Sequence, residues 1–171
     1  LNKSLAMLER TPRILQGWLP GLPEEWIRQN EGPDTWSAFD IVGHLVHGEK
    51  TDWISRMKRI LEHGTTVPFD PFDRFAQFRD SEGKSMEDLL EEFRGLRGAN
   101  LTTLRAMGLD QDALGRRGTH PALGTVTLRE LLATWTVHDL GHLAQISRVL
   151  AKHYGSDVGP WHEYLPILTR G

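Results

Sequence analysis

Two histidines lie one helical turn apart in an apolar segment near the end of the chain. The segment TWTVHDLGHLAQISRVL carries His138 and His142 among leucine, isoleucine and valine residues at helical spacing. Side chains at positions i and i+4 lie on the same side of a helix, so the two imidazoles could bind one metal ion. A second interpretation stays open, in which Asp139 pairs with one histidine and no metal is required. In either case these side chains need partners, because burying an unpaired polar group costs roughly 2–7 kcal/mol.

The third ligand of such a site would have to come from another helix. His44 lies at the flank of an apolar face that Ile41 and Leu45 define in an earlier segment. His47 lies further round the same helix, and we expect it to be structural or exposed. The predicted metal ligands are therefore His44, His138 and His142.

Further polar side chains lie on helix faces that are otherwise apolar. Glu49 and Asp52 are candidate catalytic residues, because a carboxylate can orient water or accept a proton. Arg56, Arg97 and Asn100 are candidate substrate-binding residues, and the two arginines would suit an anionic substrate. Asp52 and Arg56 are spaced i,i+4 and can form an ion pair. The alternative is a structural ion-pair network at one end of a helical bundle.

Familiar metal motifs fit this chain poorly. The HDLGH pattern has an aspartate, Asp139, where zinc proteases have the glutamate of HExxH, and its shorter side chain reaches less far. A di-iron bundle needs Glu-x-x-His motifs on two helices, and the sequence contains none. Haem ligation by histidine in a helical bundle stays open.

Four stretches have helical patterns, and no convincing strand pattern accompanies them. They cover residues 2–19, 37–63, 85–107 and 127–154, with sequences typical of capping boxes at Ser85 and Thr127. This predicts an all-α fold, a four-helix bundle with long crossover connections, in which residues 1–171 form a single domain. The loop after His63 is long for a compact domain, which is typical of covers and crossover connections.

Composition excludes several kinds of function. The chain has 171 residues, a formal net charge of −3 and no cysteine. Disulfides, thiolate metal sites and cysteine nucleophiles are therefore excluded. The acidic balance argues against nucleic acid as the main partner, and the lack of a long apolar run argues against a membrane span. We expect a cytoplasmic protein.

Two longer segments carry a family resemblance. TWSAFDIVGHLVHGEKTDWISR begins at Thr35, and TLRELLATWTVHDLGHLAQISRVLAKHY begins at Thr127. In the first segment Trp36 precedes His44 by eight residues, and the second contains an H-x-x-x-H pair. HPALG precedes the last long helix and VGPW follows it. On these motifs the chain resembles the DinB-like (YfiT-like) superfamily of small metal-binding four-helix bundles, over nearly its whole length.

The resemblance implies a site of three histidines that holds one divalent ion, Zn²⁺ or Ni²⁺, with open positions for water or substrate. It also implies a homodimer. Characterised members of the superfamily include thiol S-transferases that use bacillithiol, mycothiol or glutathione, and a maleylpyruvate isomerase.

We therefore predict a metal-dependent thiol S-transferase or hydrolase that acts on a small molecule, with a low-molecular-weight thiol as a candidate cosubstrate. One alternative is a non-catalytic, stress-associated binding protein whose metal is structural. A second alternative is a metal-free bundle with a polar histidine–aspartate network.

Overall fold

The helices of this chain assemble into four long segments that pack side by side. The computed structural model describes residues 1–169. In chain order its helices are α1 (Asn2–Leu8), α2 (Thr11–Trp18), α3 (Glu24–Arg28), α4 (Ala38–Thr51), α5 (Trp53–His63), α6 (Ala76–Asp80), α7 (Met86–Ala106), α8 (Gln111–Gly115), α9 (Leu128–Lys152), a 3-10 helix (Gly159–Tyr164) and α10 (Pro166–Thr169). The segments α1–α2, α4–α5, α7 and α9 form the bundle, so the predicted all-α four-helix architecture is confirmed. Nowhere in residues 1–169 is a helix both long and apolar enough to pass through a membrane.

Three of the four segments begin at reciprocal capping boxes. In each box the N-cap hydroxyl accepts a hydrogen bond from the backbone three residues on, and that residue's carboxylate accepts one from the N-cap backbone. The pairs are Ser37 with Asp40, Ser85 with Asp88, and Thr127 with Glu130. The helix starts predicted at Ser85 and Thr127 are therefore confirmed.

Two of the predicted helical stretches are each interrupted, the first of them at Thr11-Pro12, where the sequence indicates a helix start or a kink. The stretch 2–19 divides into α1 and α2, and Pro12 occupies the first turn of α2, where its missing N–H costs nothing. The stretch 37–63 is interrupted at Asp52, whose backbone (φ −105°, ψ −71°) departs from ideal helical values. The last long helix ends at Lys152, two residues before the predicted end.

A short β-hairpin joins α8 to α9, so the expectation of no strand was wrong. β1 (Arg117–His120) pairs antiparallel with β2 (Gly124–Thr127). Each strand has only four residues, which is too short for an alternating pattern to stand out. The hairpin packs on α5 and on the loop before α6, where the backbone N–H of Phe69 donates to the carbonyl of Thr119 at 2.9 Å.

Gly118 allows this hairpin to pack closely. A Cβ at this position would lie 2.6 Å from Cγ1 of Ile60 and 3.2 Å from the ring of Phe69. Gly118→Ala should therefore lower the free energy of unfolding by roughly 1–3 kcal/mol, the usual cost of overpacking. Gly95→Ala is the matched control, because Gly95 lies in α7 facing open space and the change should stabilise the helix by about 0.4–1 kcal/mol. Urea unfolding of both variants tests this, and equal shifts of the same sign would contradict it.

The core consists of two apolar clusters. One includes Leu45, Phe93 and Ile146, and the other includes Met57 and Trp135. Along α4–α5, α7 and α9, polar residues occupy the positions between the two clusters. These buried polar residues are His44, His47, Glu49, Asp52, Arg97 and Asp139. The bundle therefore has a polar layer across its middle, and the predicted site residues lie in or beside it.

Candidate metal centre

Three imidazoles from two helices converge in the polar layer. His44 comes from α4, while His138 and His142 come from α9. The Nε2 atom of His138 lies 3.0 Å from Nε2 of His44 and 3.1 Å from Nε2 of His142. Each of the three rings offers a nitrogen within 4.8 Å of the other two. The structure thus brings together the three histidines that the sequence predicted as ligands.

Two glutamines fix the orientation of two of these rings. Nδ1 of His44 donates to Oε1 of Gln77 at 2.8 Å, and Nδ1 of His142 donates to Oε1 of Gln145 at 2.9 Å. A neutral imidazole carries one hydrogen, so both Nε2 atoms are left with free lone pairs. Hydrogen bonds of this kind set the tautomer of metal-binding histidines.

The donors and acceptors in this cluster do not balance without a cation. Nε2 of His138 faces two acceptor nitrogens but can carry only one hydrogen. Imidazole nitrogens bound to one ion at about 2.0–2.1 Å would themselves lie about 3 Å apart, as they do here. The three residues therefore fit a divalent metal ion.

Burial keeps the three histidines neutral. Desolvation, followed by the proximity of His142, lowers the pKa of His44 from 6.5 to about 4. Desolvation likewise lowers the pKa of His138 to about 3, and it lowers the pKa of His142. Neutral imidazoles are the form that binds metal, so at neutral pH the site needs no deprotonation before an ion enters.

The same shifts make the metal-free protein sensitive to acid. In the unfolded chain these histidines take up protons near their ordinary pKa of 6.5, whereas His44 and His138 in the folded chain resist protonation until about 4 and 3. The unfolded state therefore binds more protons below pH 6.5, and stability falls as the pH drops through that range. We expect a loss of a few kcal/mol in the free energy of unfolding of the metal-free protein between neutral pH and pH 4. Replacing His138 with glutamine should flatten this dependence, and an equally steep profile in that variant would contradict the assignment.

The glutamines should affect metal binding without touching the ion. Gln145→Leu removes the acceptor for Nδ1 of His142, and Gln77→Leu does the same for His44. We expect each change to weaken the affinity for Zn²⁺ by about 10–100-fold, as loss of an outer hydrogen-bond partner usually does. Gln16→Leu, elsewhere on the surface, serves as the control. Competition titration with a chromophoric chelator measures the three affinities, and equal values would refute the role of the glutamines.

The three histidines form one wall of a cavity of about 320 Å³. Aromatic rings make up much of the remainder: the ring of Trp36 lies 4.8 Å from that of His44, and Trp53 lies 5.1 Å from His138. Phe72, from the loop before α6, approaches His44 at 5.5 Å. The complete lining is Trp36, His44, Gly48, Asp52, Trp53, Phe72, Arg74, His138 and His142. A small molecule in this cavity would contact both the histidines and an apolar surface.

Asp52 and Arg56 lie at the edge of this cavity. Asp52 lines it, and its carboxylate forms the predicted ion pair with the guanidinium of Arg56. Burial raises the pKa of Asp52, and the positive charge of Arg56 opposes this effect. A carboxylate with a raised pKa beside a metal site is suited to accepting and releasing a proton. The catalytic and substrate-binding roles of these two residues stay predictions.

Glu49, Arg97 and Asn100 form a network behind the histidines rather than facing the cavity. The guanidinium of Arg97 donates to Oε1 of Glu49 at 2.9 Å and to Oδ2 of Asp139 at 2.6 Å. Asn100 donates to Oε2 of Glu49 at 2.9 Å, and Nε1 of Trp135 donates to Oε1 of Glu49 at 3.0 Å. The predicted catalytic role of Glu49 and the substrate-binding roles of Arg97 and Asn100 stay predictions, and these contacts match the alternative of a structural network.

Asp139 pairs away from the histidines that flank it in sequence. Its Oδ2 accepts from the hydroxyl of Thr11 at 2.6 Å as well as from Arg97. The alternative in which Asp139 satisfies a histidine therefore receives no support from these hydrogen bonds.

Several residues of the site could not be identified from sequence. His47, expected to be either structural or exposed, is only 6% exposed and packs against Phe72. Gln77 and Phe72 reach the site from the region between α5 and α7. The sequence there has no periodic pattern of apolar residues that would predict which side chains face the site. Gln145 could have been found, because it lies one turn after His142 on the same helix.

The chain is similar to one protein family by sequence and to a solved structure by fold. The family model of the DinB superfamily matches residues 7–146. Among solved structures, YfiT from Bacillus subtilis aligns with a TM-score of 0.76 and 23% sequence identity, covering 89% of this chain and 86% of that chain. YfiT is described as "a probable metal-dependent hydrolase with an unusual four-helix bundle topology". No curated protein matches the sequence at a significant level.

The likeness to YfiT, at 23% identity, shows the fold. The family match covers most of the chain and includes His44, His138 and His142. It confirms the resemblance inferred from the motifs around these residues. The chain belongs to the DinB superfamily.

Proposed function

We propose that this protein is a metal-dependent enzyme that acts on a small molecule, as a hydrolase or a thiol S-transferase. The observation that carries the proposal is the convergence of three neutral Nε2 atoms on the wall of a cavity of about 320 Å³. YfiT, which shares the fold, is described as a probable metal-dependent hydrolase, and this supports the hydrolytic form.

The metal would be held by His44, His138 and His142, and Zn²⁺ and Ni²⁺ suit their imidazole donors. When bound, a divalent ion held by three neutral ligands supplies Lewis acidity, which favours the deprotonated form of a water or thiol. The chain contains no cysteine, so a sulfur nucleophile would have to come from a cosubstrate.

We assign the proton transfer to Asp52. Its carboxylate lines the cavity, and Arg56 fixes the orientation of that carboxylate through their ion pair. Burial raises the pKa of Asp52, so this carboxyl group keeps its proton to a higher pH than an exposed aspartate does. Glu49, the other carboxylate predicted for this role, is held by Arg97 and Asn100 and serves better as a structural group.

The test is an activity screen of the Zn²⁺- and Ni²⁺-loaded protein. One arm measures hydrolysis of p-nitrophenyl esters, and the other measures transfer of bacillithiol, mycothiol or glutathione to 1-chloro-2,4-dinitrobenzene. Activity in either arm should require the metal and should fall by about 10²–10⁴-fold in Asp52→Asn, the usual contribution of acid–base catalysis. A protein that binds no divalent ion under these conditions would overturn the proposal.

A structural metal is the competing outcome. The three ligands join α4 to α9, so an ion could stabilise the bundle without any turnover. A chelator would then lower the Tm strongly while no substrate is converted in either arm. A modest change in Tm together with metal-dependent turnover supports the enzyme.

We also propose a homodimer. Exposed apolar side chains on the outer face of α9 support it, since Val137 is 66% and Leu140 is 44% exposed. Light scattering of the purified protein decides between one chain and two, and Val137→Glu should shift a dimer toward the monomer.

A further inference from the structure

A second space lies beside the cavity at the three histidines, and we name it the arginine lobe. Its walls include Asp52, Arg56, Phe72, Arg74 and His120, and its volume is about 390 Å³. Asp52, Phe72 and Arg74 line both spaces, so the two are adjacent. A ligand longer than the first cavity could therefore reach the arginine lobe past these three residues.

The arginine lobe carries a surplus of positive charge. Arg56 is neutralised by its ion pair with Asp52. Arg74 makes no ion pair with any residue of the described range 1–169, whereas Arg59 and Arg79 nearby each pair with an aspartate. Arg74, an exposed residue that lines both spaces, thus carries a positive charge that no ion pair within residues 1–169 compensates.

His120 adds a neutral hydrogen-bond donor to the same lobe. Its Nδ1 accepts from the backbone N–H groups of Ala122 and Leu123, both at 3.1 Å. Burial, and secondly the charge of Arg56, lowers the pKa of His120, so the ring is neutral and its remaining hydrogen lies on Nε2. The turn of the β-hairpin therefore borders the arginine lobe with a donor group.

The part of the cavity nearest the histidines has the opposite character. Trp36 and Phe72 flank His44 with ring centroids at 4.8 Å and 5.5 Å. An apolar portion of a ligand suits this region, and an oxyanion suits the guanidinium beyond it.

We propose that the substrate is an elongated anion with an apolar reacting portion and a terminal carboxylate or sulfonate. The reacting portion lies between Trp36 and Phe72 beside the histidines, and Arg74 binds the anionic group in the arginine lobe, with Arg56 and His120 bordering it. The inference deepens the proposed function and depends on it for the identity of the reacting end. Arg74 is the residue that selects charged over neutral substrates.

Calorimetric titration with non-reacting probes tests this assignment. The probes are 3-phenylpropanesulfonate, 3-phenylpropionate and the uncharged 3-phenylpropanol, added to the Zn²⁺-loaded protein. Both anions should bind more tightly than the alcohol, and Arg74→Gln should weaken them on the order of 10-fold while leaving the alcohol unchanged. Arg129→Gln, which removes the same charge from an exposed position at the start of α9, should alter none of the three. Equal affinities for anions and alcohol, or equal losses in both arginine variants, would overturn the proposal.

The metal-free protein separates this result from the failure of the proposed function. A sulfonate is a weak metal ligand, so its dependence on Arg74 should persist when the ion is removed. If the activity screen finds no turnover but the sulfonate still requires Arg74, the anion site stands and the enzymatic proposal fails. If turnover is found but Arg74→Gln leaves sulfonate binding and the KM for anionic esters unchanged, the anion site fails alone.

Discussion

His138→Ala should abolish stoichiometric metal binding. His138 is the central ligand, because its Nε2 lies within 3.1 Å of both other Nε2 atoms, which each contact it. Without it, two imidazoles from different helices remain. The affinity for Zn²⁺ should therefore fall by more than the roughly 10–100-fold expected when a ligand loses its hydrogen-bond partner. Elemental analysis after dialysis against Zn²⁺ should find about one ion per wild-type chain, in keeping with a single three-histidine site, and almost none in the variant.

His63→Ala is the matched control for this experiment. His63 ends α5 with its side chain 49% exposed, so its loss removes one imidazole without touching the cavity. Circular dichroism of the metal-free proteins checks that His138→Ala keeps its helices. If His138→Ala retained one ion per chain while still folded, the three-histidine site would be wrong.

The ligands could be predicted because helix periodicity converts sequence spacing into geometry. His138 and His142 interrupt one apolar face one turn apart, and the capping residue Thr127 fixes where their helix begins. His44 required the further step of matching polar positions on two predicted helices. The structure shows why this step works: the polar layer crosses α4 and α9 at the same level of the bundle, between the two apolar clusters.

The residues that form the other walls of the cavity could not be predicted from helix periodicity. Phe72 and Arg74 belong to the loop before α6, and His120 belongs to a hairpin of two four-residue strands. Neither region has a repeating pattern of apolar residues from which the orientation of its side chains could be predicted. Their positions depend on tertiary contacts such as the packing of Gly118 against Ile60, which no local pattern encodes.

Tertiary structure also determines which polar residues line the cavity and which belong to the buried network behind it. Glu49 and Asp52 lie three residues apart and have similar chemistry, yet Asp52 lines the cavity while Glu49 faces Arg97. The interruption of the helix at Asp52 separates them, and a wheel for one continuous helix cannot represent that interruption. The bundle therefore holds Glu49 in a buried polar network and places Asp52, paired with Arg56, at the wall of the cavity.

Arg97→Met should destabilise the protein strongly, because Arg97 neutralises two buried carboxylates. Arg97 is 1% exposed and pairs with both Glu49 and Asp139, which are 4% and 2% exposed. Removing it leaves two carboxylates buried without their counter-charge, which typically costs about 3–5 kcal/mol in the free energy of unfolding. It also leaves the carbonyl of Leu8 without the donor that ties α1 to α7 at 2.9 Å. Urea unfolding of the metal-free protein measures the loss.

Arg105→Met on the same helix is the control, because Arg105 is exposed and pairs with Glu9 at the surface, where an ion pair contributes about 0–1 kcal/mol. If Arg97→Met does not fold, the triple variant that also carries Glu49→Gln and Asp139→Asn should restore folding, since it removes the buried charges together with their partner. If Arg97→Met lowered the free energy of unfolding no more than Arg105→Met does, the proposed role of Arg97 would be wrong. The expected difference arises from location alone: both arginines make ion pairs, but water can replace the partner of only one of them.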